Sequence, residues 1–300
     1  MKPDQLTRFL LGNGEVRGQI VKLEASWQEI TARHPGTLGL TCLGELSAAA
    51  NLLAASLKFD GDLILQIHGH GAIKLMVVEC RPVGQFRATL KLSEKNTALA
   101  DAPLTELVNQ EDKGRFIVTL EPSKTSINQQ PYQGIVPFEG NTVAEVLENY
   151  MERSEQVPSR LYLAADAHCS VGVLLQKMPA EGGSAGSQDA DAWPRIQMLA
   201  KTLKPQELLS DAPEALLHKL FWQESLQILD HREVSFACTC SRDKVSAMLK
   251  MLGREEVESI LAEQGEIKTQ CDFCNTEYRF DPVDAAAVFI EGVMPASSGL

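Results

Sequence analysis

Four of the chain's seven cysteines fall in two tight pairs near the C-terminus, Cys238-Thr-Cys240 and Cys271-Asp-Phe-Cys274, with thirty residues between the pairs. A segment of roughly sixty residues builds little core on its own. Four thiolates converging on one zinc ion would supply the missing cross-link, and metal binding of ~10–16 kcal/mol in small zinc modules decides whether such a segment folds. The spacing of Cys271 and Cys274 is the common zinc knuckle, and that of Cys238 and Cys240 is rarer. All four are read as ligands of a single zinc. The competing reading, four buried cysteines acting as small hydrophobes, leaves the pairing unexplained.

Four sulfur ligands leave no open position for water, so a hydrolytic centre is not expected and no catalytic residue is assigned. A closed site is either structural or built to be opened. Opening is chemically accessible, because a metal-bound sulfur is a thiolate and thiolates are what oxidants attack. An oxidoreductase is the enzymatic rival for Cys271 and Cys274, yet such a pair normally opens a helix. Here Asn275 to Phe280 reads as a strand ending at Asp281-Pro282. A zinc ribbon for nucleic acid or protein recognition is the rival from another class. Residues 241–300 carry six Lys and Arg against eleven Asp and Glu, which disfavours nucleic acid.

The whole chain, 300 residues with a net charge of -12, likewise lacks the basic excess that grips phosphates or anionic lipid. Its most apolar long stretch, Thr37 to Leu57, is interrupted by Glu45 and Asn51. The N-terminus has no short apolar run of the secretory kind. A cytoplasmic location is expected, where structural disulfides are rare and clustered cysteines serve metal or redox chemistry.

Residues 16 to 178 read as α+β with a mostly antiparallel sheet. Leu63, Leu65 and Ile67 alternate, His68-Gly-His-Gly71 turns, and Ile73, Leu75 and Val77 return, which predicts a hairpin. Strands are also predicted at Phe116–Leu120, Tyr132–Val136, Arg160–Ala164 and Val171–Leu175. Leu43, Leu46, Ala50, Leu53 and Leu57 follow helical spacing, and Thr142 with Glu145 forms a capping-box pattern. A polar, small-residue run at 181 to 192 reads as a flexible linker. Helical patterns follow from Pro194 and Pro213. Two short helices closed by Gly253 and Gly265 separate the cysteine pairs. The expected organisation is an N-terminal domain over 1–180, a flexible and helical linker region over 181–237, and a C-terminal zinc domain over 238–300.

The sequence resembles the 33 kDa heat-shock family of redox-regulated chaperones over nearly its whole length. The resemblance is carried by Val16-Arg-Gly18, Lys22–Trp27, Ser56–Gly61, Gly114–Pro122, Tyr132–Pro137, Ser154-Glu-Gln156, Cys238-x-Cys240-Ser-Arg242 and Cys271-x-x-Cys274. It implies an ATP-independent holdase, inactive when reduced and zinc-loaded. Under combined oxidative and unfolding stress it would lose zinc, form disulfides between Cys238 and Cys240 and between Cys271 and Cys274, and loosen its C-terminal domain and helical linker. It would then dimerise and bind unfolding client proteins. Disulfides across one intervening residue are strained and easily reduced. Cys42, Cys80 and Cys169 lie outside the motif, and the run at 181 to 192 is longer than the family requires.

Other motifs carry less. Gly182-Gly-Ser-Ala-Gly186 spells a nucleophile elbow but lies in the polar run with no helix to follow it. Gly12-Asn-Gly14-Glu-Val-Arg-Gly18 misses the dinucleotide fingerprint by one residue and reads as a loop. There is no Gly-Lys pair, hence no phosphate-binding loop of the Walker type. His68 and His70 read as a polar hairpin tip, and His168 and Cys169, adjacent in sequence, as side chains on opposite faces of a strand.

Overall fold

A computed structural model describes residues 4–36, 38–94, 102–123, 130–136, 138–179, 189 and 191–290. The chain divides into two compact units, one ending at Ala237 and one beginning at Cys238. The elbow-like Gly182–Gly186 and nearly all of the polar run at 181 to 192 lie outside the described residues.

The first unit opens with a hairpin of β1 (Asp4–Leu11) and β2 (Val16–Leu23), then α1 (Ala25–Thr31) and α2 (Leu40–Ser56). A meander of β3 (Gly61–His68), β4 (Ile73–Cys80) and β5 (Gln85–Leu92) precedes α3 (Leu104–Val108), β6 (Arg115–Pro122), β7 (Tyr132–Val136) and α4 (Val143–Tyr150). After β8 (Ser159–Ala165) and β9 (Ser170–Lys177) come three helices, α5 (Ala192–Ala200), α6 (Pro205–Ser210) and α7 (Pro213–Leu220), and then β10 (Gln227–Phe236).

The ten strands join in the order β7-β6-β3-β4-β5-β10-β1-β2-β9-β8. β10 runs antiparallel to β1 from Asp4↔Val234 to Leu10↔Gln227, but touches β5 only at Ser235↔Gln85 and Phe236↔Phe86, in parallel. Two antiparallel halves are thus stitched at the end of one strand. No helix among the described residues is long and apolar enough to cross a membrane.

α2 is the pillar of the larger core. It buries residues on every side, from Leu43 through Leu53, because strands from both halves of the sheet pack on it. Its buried polar groups are satisfied internally: Ser47 Oγ donates to the Leu43 carbonyl at 2.7 Å and Asn51 Nδ2 to the Ser47 carbonyl at 2.9 Å, as burial of polar groups requires. Gly44 is needed on this helix, since a Cβ there would lie 2.4 Å from Ala165 Cβ. The Thr142 hydroxyl accepts from Glu145 N at 3.2 Å at the start of α4, and the Glu145 carboxylate reaches back to Asn141 N at 2.6 Å.

The hairpin expected at residues 63 to 77 is present, with one change of parity. A bulge between Ile73 and Leu75 turns Met76, Val78 and Cys80 into the core and leaves Leu75 half-buried.

A second core lies on the opposite face of β1, β2 and β9. Phe9, Leu11, Val16, Ile20, Val173 and Leu175 are covered by Ala192, Ile196, Ala200, Leu208, Leu216, Leu217 and Phe221. Phe9 and Phe221 meet with ring centroids 6.5 Å apart. Gly18 makes room for this: a Cβ there would stand 2.1 Å from the Phe9 ring. The helices that the sequence sets apart as a linker region are therefore docked on the sheet, and the last part of that region is the strand β10.

The second unit consists of α8 (Arg242–Leu252), α9 (Arg254–Gln264), the hairpin β11 (Ile267–Gln270) and β12 (Glu277–Phe280), and α10 (Pro282–Val288). Its buried apolar residues, among those described, are Leu249, Val257, Ile267, Phe280, Ala285 and Val288. At ~1.5–3 kcal/mol for a large buried side chain, so few residues fall well short of the ~1–2 kcal/mol per residue that ordering the backbone of the unit costs. Gly253 joins α8 to α9 at φ 92° and ψ 155°, outside the left-handed helical region, and Gly265 ends α9 at φ 77°.

Candidate metal centre

The β11–β12 register, Ile267↔Phe280 to Gln270↔Glu277, leaves Cys271 to Thr276 as the hairpin turn. Cys271 N donates to the Thr276 carbonyl at 2.9 Å and Asn275 N to the Cys271 carbonyl at 2.8 Å. Asn275 adopts φ 59°, a left-handed geometry that asparagine tolerates better than most residues. The backbone amides of Phe273 and Cys274 point at the Cys271 sulfur. Cys271 and Cys274 therefore sit on a turn between strands, without the helix N-terminus that activates thiols in many redox enzymes.

The other pair precedes α8, whose first turn is fixed twice. Ser241 Oγ accepts from Lys244 N at 3.2 Å. The Arg242 guanidinium lies 4.2 Å from the Phe280 ring centroid, donates to the Arg279 carbonyl at 2.8 Å and pairs with Asp284 at 2.8 Å. These contacts tether Cys240 against β12.

As a result the four Sγ atoms lie within 4.8 Å of one another. Two close approaches run between the pairs, Cys238 to Cys271 at 3.6 Å and Cys240 to Cys274 at 3.3 Å. A tetrahedral site with Zn–S bonds of ~2.3 Å separates its sulfurs by about 3.8 Å. The donor set and its spacing therefore fit a metal ion. Among the described residues no other group of three or more His, Cys, Asp or Glu does so. His68 and His70 are not members of that group; they lie at the β3–β4 tip of the first unit, where His70 bridges to Asn109.

Polar neighbours surround the sulfurs. The Tyr278 hydroxyl donates to Cys240 Sγ at 3.1 Å, and the Thr276 hydroxyl lies 3.1 Å from Cys274 Sγ. Burial pushes the Cys271 thiol up to about 12. Burial also opposes ionisation of Cys274, but contacts with Thr276 and with the Cys240 and Cys238 sulfurs outweigh it and bring that thiol down to about 6.

A family profile described as Hsp33 protein matches residues 4–281. The chain belongs to the Hsp33 family. A 33 kDa chaperonin of Chromobacterium violaceum is 45% identical over 295 residues, covering 98% of this chain and 96% of its own length. Another, from Methylobacillus flagellatus, is 46% identical over 297 residues and covers 98% and 97%. A crystal structure of a 33 kDa chaperonin from Thermotoga maritima superposes with a TM-score of 0.77 over 96% of this chain and 98% of that one, at 21% identity, a likeness of fold.

The remaining cysteines of this Hsp33 chain are held as thiols. Burial pushes Cys42, half-buried on α2, up to about 12, and Cys169 up to about 11. Cys80, fully buried at the end of β4, is raised by its burial as well. None is poised as a thiolate. Thr276 and Tyr278 escaped the sequence reading, although the alternation of Thr276, Tyr278 and Phe280 along a strand places them on one face.

Proposed function

We propose that the chain is a redox-switched, ATP-independent holdase of the cytoplasm. In its resting state Cys238, Cys240, Cys271 and Cys274 would hold one zinc ion. The carrying observation is the convergence of these four sulfurs within 4.8 Å in a unit with a small core of six buried apolar residues among those described.

The chemistry a bound zinc supplies is a cross-link between residues 238–240 and residues 271–274. The protein's own residues do the rest. Tyr278, Thr276 and the backbone amides of the turn orient the sulfurs, and Arg242 ties the first pair to the hairpin. Once oxidants consume the thiolates that cross-link is lost, and the small core has no substitute for it. Exposed apolar surface then binds unfolding proteins at ~25 cal/mol per Å² buried. In the active form we place disulfides between Cys238 and Cys240 and between Cys271 and Cys274, and a homodimer. In a released segment the partners within each pair stay one or two residues apart, whereas partners across the pairs are separated by some thirty residues of loosened chain.

The test is light scattering from a thermally unfolding client, without ATP. Reduced, zinc-loaded protein should leave aggregation unchanged, and protein treated with peroxide at elevated temperature should suppress it. Suppression by neither form sinks the proposal. Peptide mapping of the oxidised protein checks the pairing, and a dominant Cys238–Cys271 link would refute it.

A further inference from the structure

The two halves of the sheet part where β10 leaves β5, since these strands pair only at Ser235 and Phe236. Beside that fork lies a cavity of about 330 Å³, walled by Leu6, Ala54, Ala55, Cys80 and Val234. Ala54 and Ala55 share a face of α2 with Asn51, three and four residues before them, and their small side chains leave the space open.

Asn51 lines the cavity as well. It sits inside α2, where the helix takes up its backbone polar groups, so it does this with its side chain. The residue is 5% exposed. Its Nδ2 donates to the Ser47 carbonyl at 2.9 Å, its one side-chain hydrogen bond among the described residues, and Oδ1 has no donor. Oδ1 is nevertheless not sealed off: the occluded, unpartnered side-chain atoms among the described residues belong to Arg17, Gln19 and His34. On a residue buried this deeply, the surface that Oδ1 keeps opens on the cavity.

Two cations stand at the rim. Arg232 lies opposite Leu6 in the β1–β10 ladder, on the face of β10 that carries Val234. It is exposed, and the carboxylate that feels its charge, Asp230, is already bound by Arg8. Arg81 Nη1 donates to Gln85 Oε1 at 2.9 Å, which fixes the guanidinium and leaves it donors to spare. Glu233 meets the cavity with its backbone, since a Cβ on Gly84 would stand 2.3 Å from its carbonyl oxygen, and strand alternation sends its carboxylate to the other face.

We propose that this cavity binds a small carboxylic acid that has an apolar body and an N–H group. The carboxylate lies on Arg81 and Arg232, the N–H donates to Asn51 Oδ1, and the body packs on Ala54, Ala55 and Cys80. Guanidinium donors match a carboxylate, and a buried acceptor favours a ligand that brings a donor over a plain hydrocarbon. The volume lies at the lower end of the ~300–1,000 Å³ of small-molecule sites, which suits a bicyclic ring with a short side chain. The cysteine switch proposed above does not depend on this site.

Indole-3-acetate is the probe, titrated calorimetrically into the reduced, zinc-loaded full chain. It should bind saturably, one per chain. 1-Methylindole-3-acetate lacks the donor and indole-3-acetamide lacks the charge, so each should bind about tenfold or more weakly. The two losses should map to different residues. Asn51→Leu should no longer distinguish indole-3-acetate from its 1-methyl form. Arg232→Met, a change at an exposed position that leaves folding intact, should cut the advantage of the acetate over the acetamide severalfold and keep the preference for the free N–H. Absence of saturable binding would mean that the cavity holds water alone and would overturn the proposal. Equal binding of the three ligands would overturn it too, as would full discrimination of acetate from acetamide by Arg232→Met.

Discussion

The Tyr278 hydroxyl donates to Cys240 Sγ at 3.1 Å, so a strand residue of β12 supports a sulfur on the far side of the thirty-residue insertion. Groups that hydrogen-bond to metal ligands typically tune affinity ~10–100-fold. Tyr278→Phe keeps the ring and removes the donor. Its zinc affinity, measured against a competing chelator under reducing conditions, should fall about tenfold or more. An unchanged affinity would show that the hydroxyl does not help to hold the sulfur.

Zinc removal should separate the two units by stability. The second unit has a small core, whereas the first has two extensive cores of its own. Chelation under reducing conditions should abolish hydrogen-exchange protection in α8, α9 and the β11–β12 hairpin. Amides of β1, β2 and β9 should stay protected. Retained protection around Ile267 and Phe280 would mean that the small core suffices without metal.

The sequence disclosed the cysteine tetrad because metal ligands must be specific residue types at short spacings, and Cys238, Cys240, Cys271 and Cys274 have no alternative use that explains their pairing. It disclosed a strand with one exposed face, β6, through its alternation. β1 was harder to read: Leu6 packs in one core and Phe9 and Leu11 in the other, so both faces are covered and the alternation disappears. The docking of α5 to α7 was also hidden, because an amphipathic stripe such as Leu216, Leu217 and Leu220 on α7 records that a helix has an apolar face and not what covers it.

Asp4 ties the first strand to the first helix. Its carboxylate accepts from Glu24 N, Ala25 N and Ser26 N at 2.8, 2.9 and 2.8 Å, satisfying amides at the start of α1 that have no partner within the helix. Asp4→Ala leaves these amides unmet in a buried setting and should cost about 1–3 kcal/mol. The loss should appear as a lower denaturant midpoint for the first unit, with an unchanged slope. A shift within experimental error would show that water replaces the carboxylate.

Glu45 on α2 links stability to pH. Burial pushes its carboxyl up to about 7, well above the ordinary value near 4.3 of an unfolded chain. The folded state therefore holds this proton more tightly. Glu45 is least costly below about pH 4.3, where it is protonated in both states. Its burial penalty grows as pH rises through the interval up to about 7 and is complete above it. Glu45→Gln stays neutral throughout, so its melting temperature should exceed that of the parent at pH 8 and approach it near pH 5. Equal melting temperatures at both pH values would show that the Glu45 carboxylate reaches solvent in the folded protein.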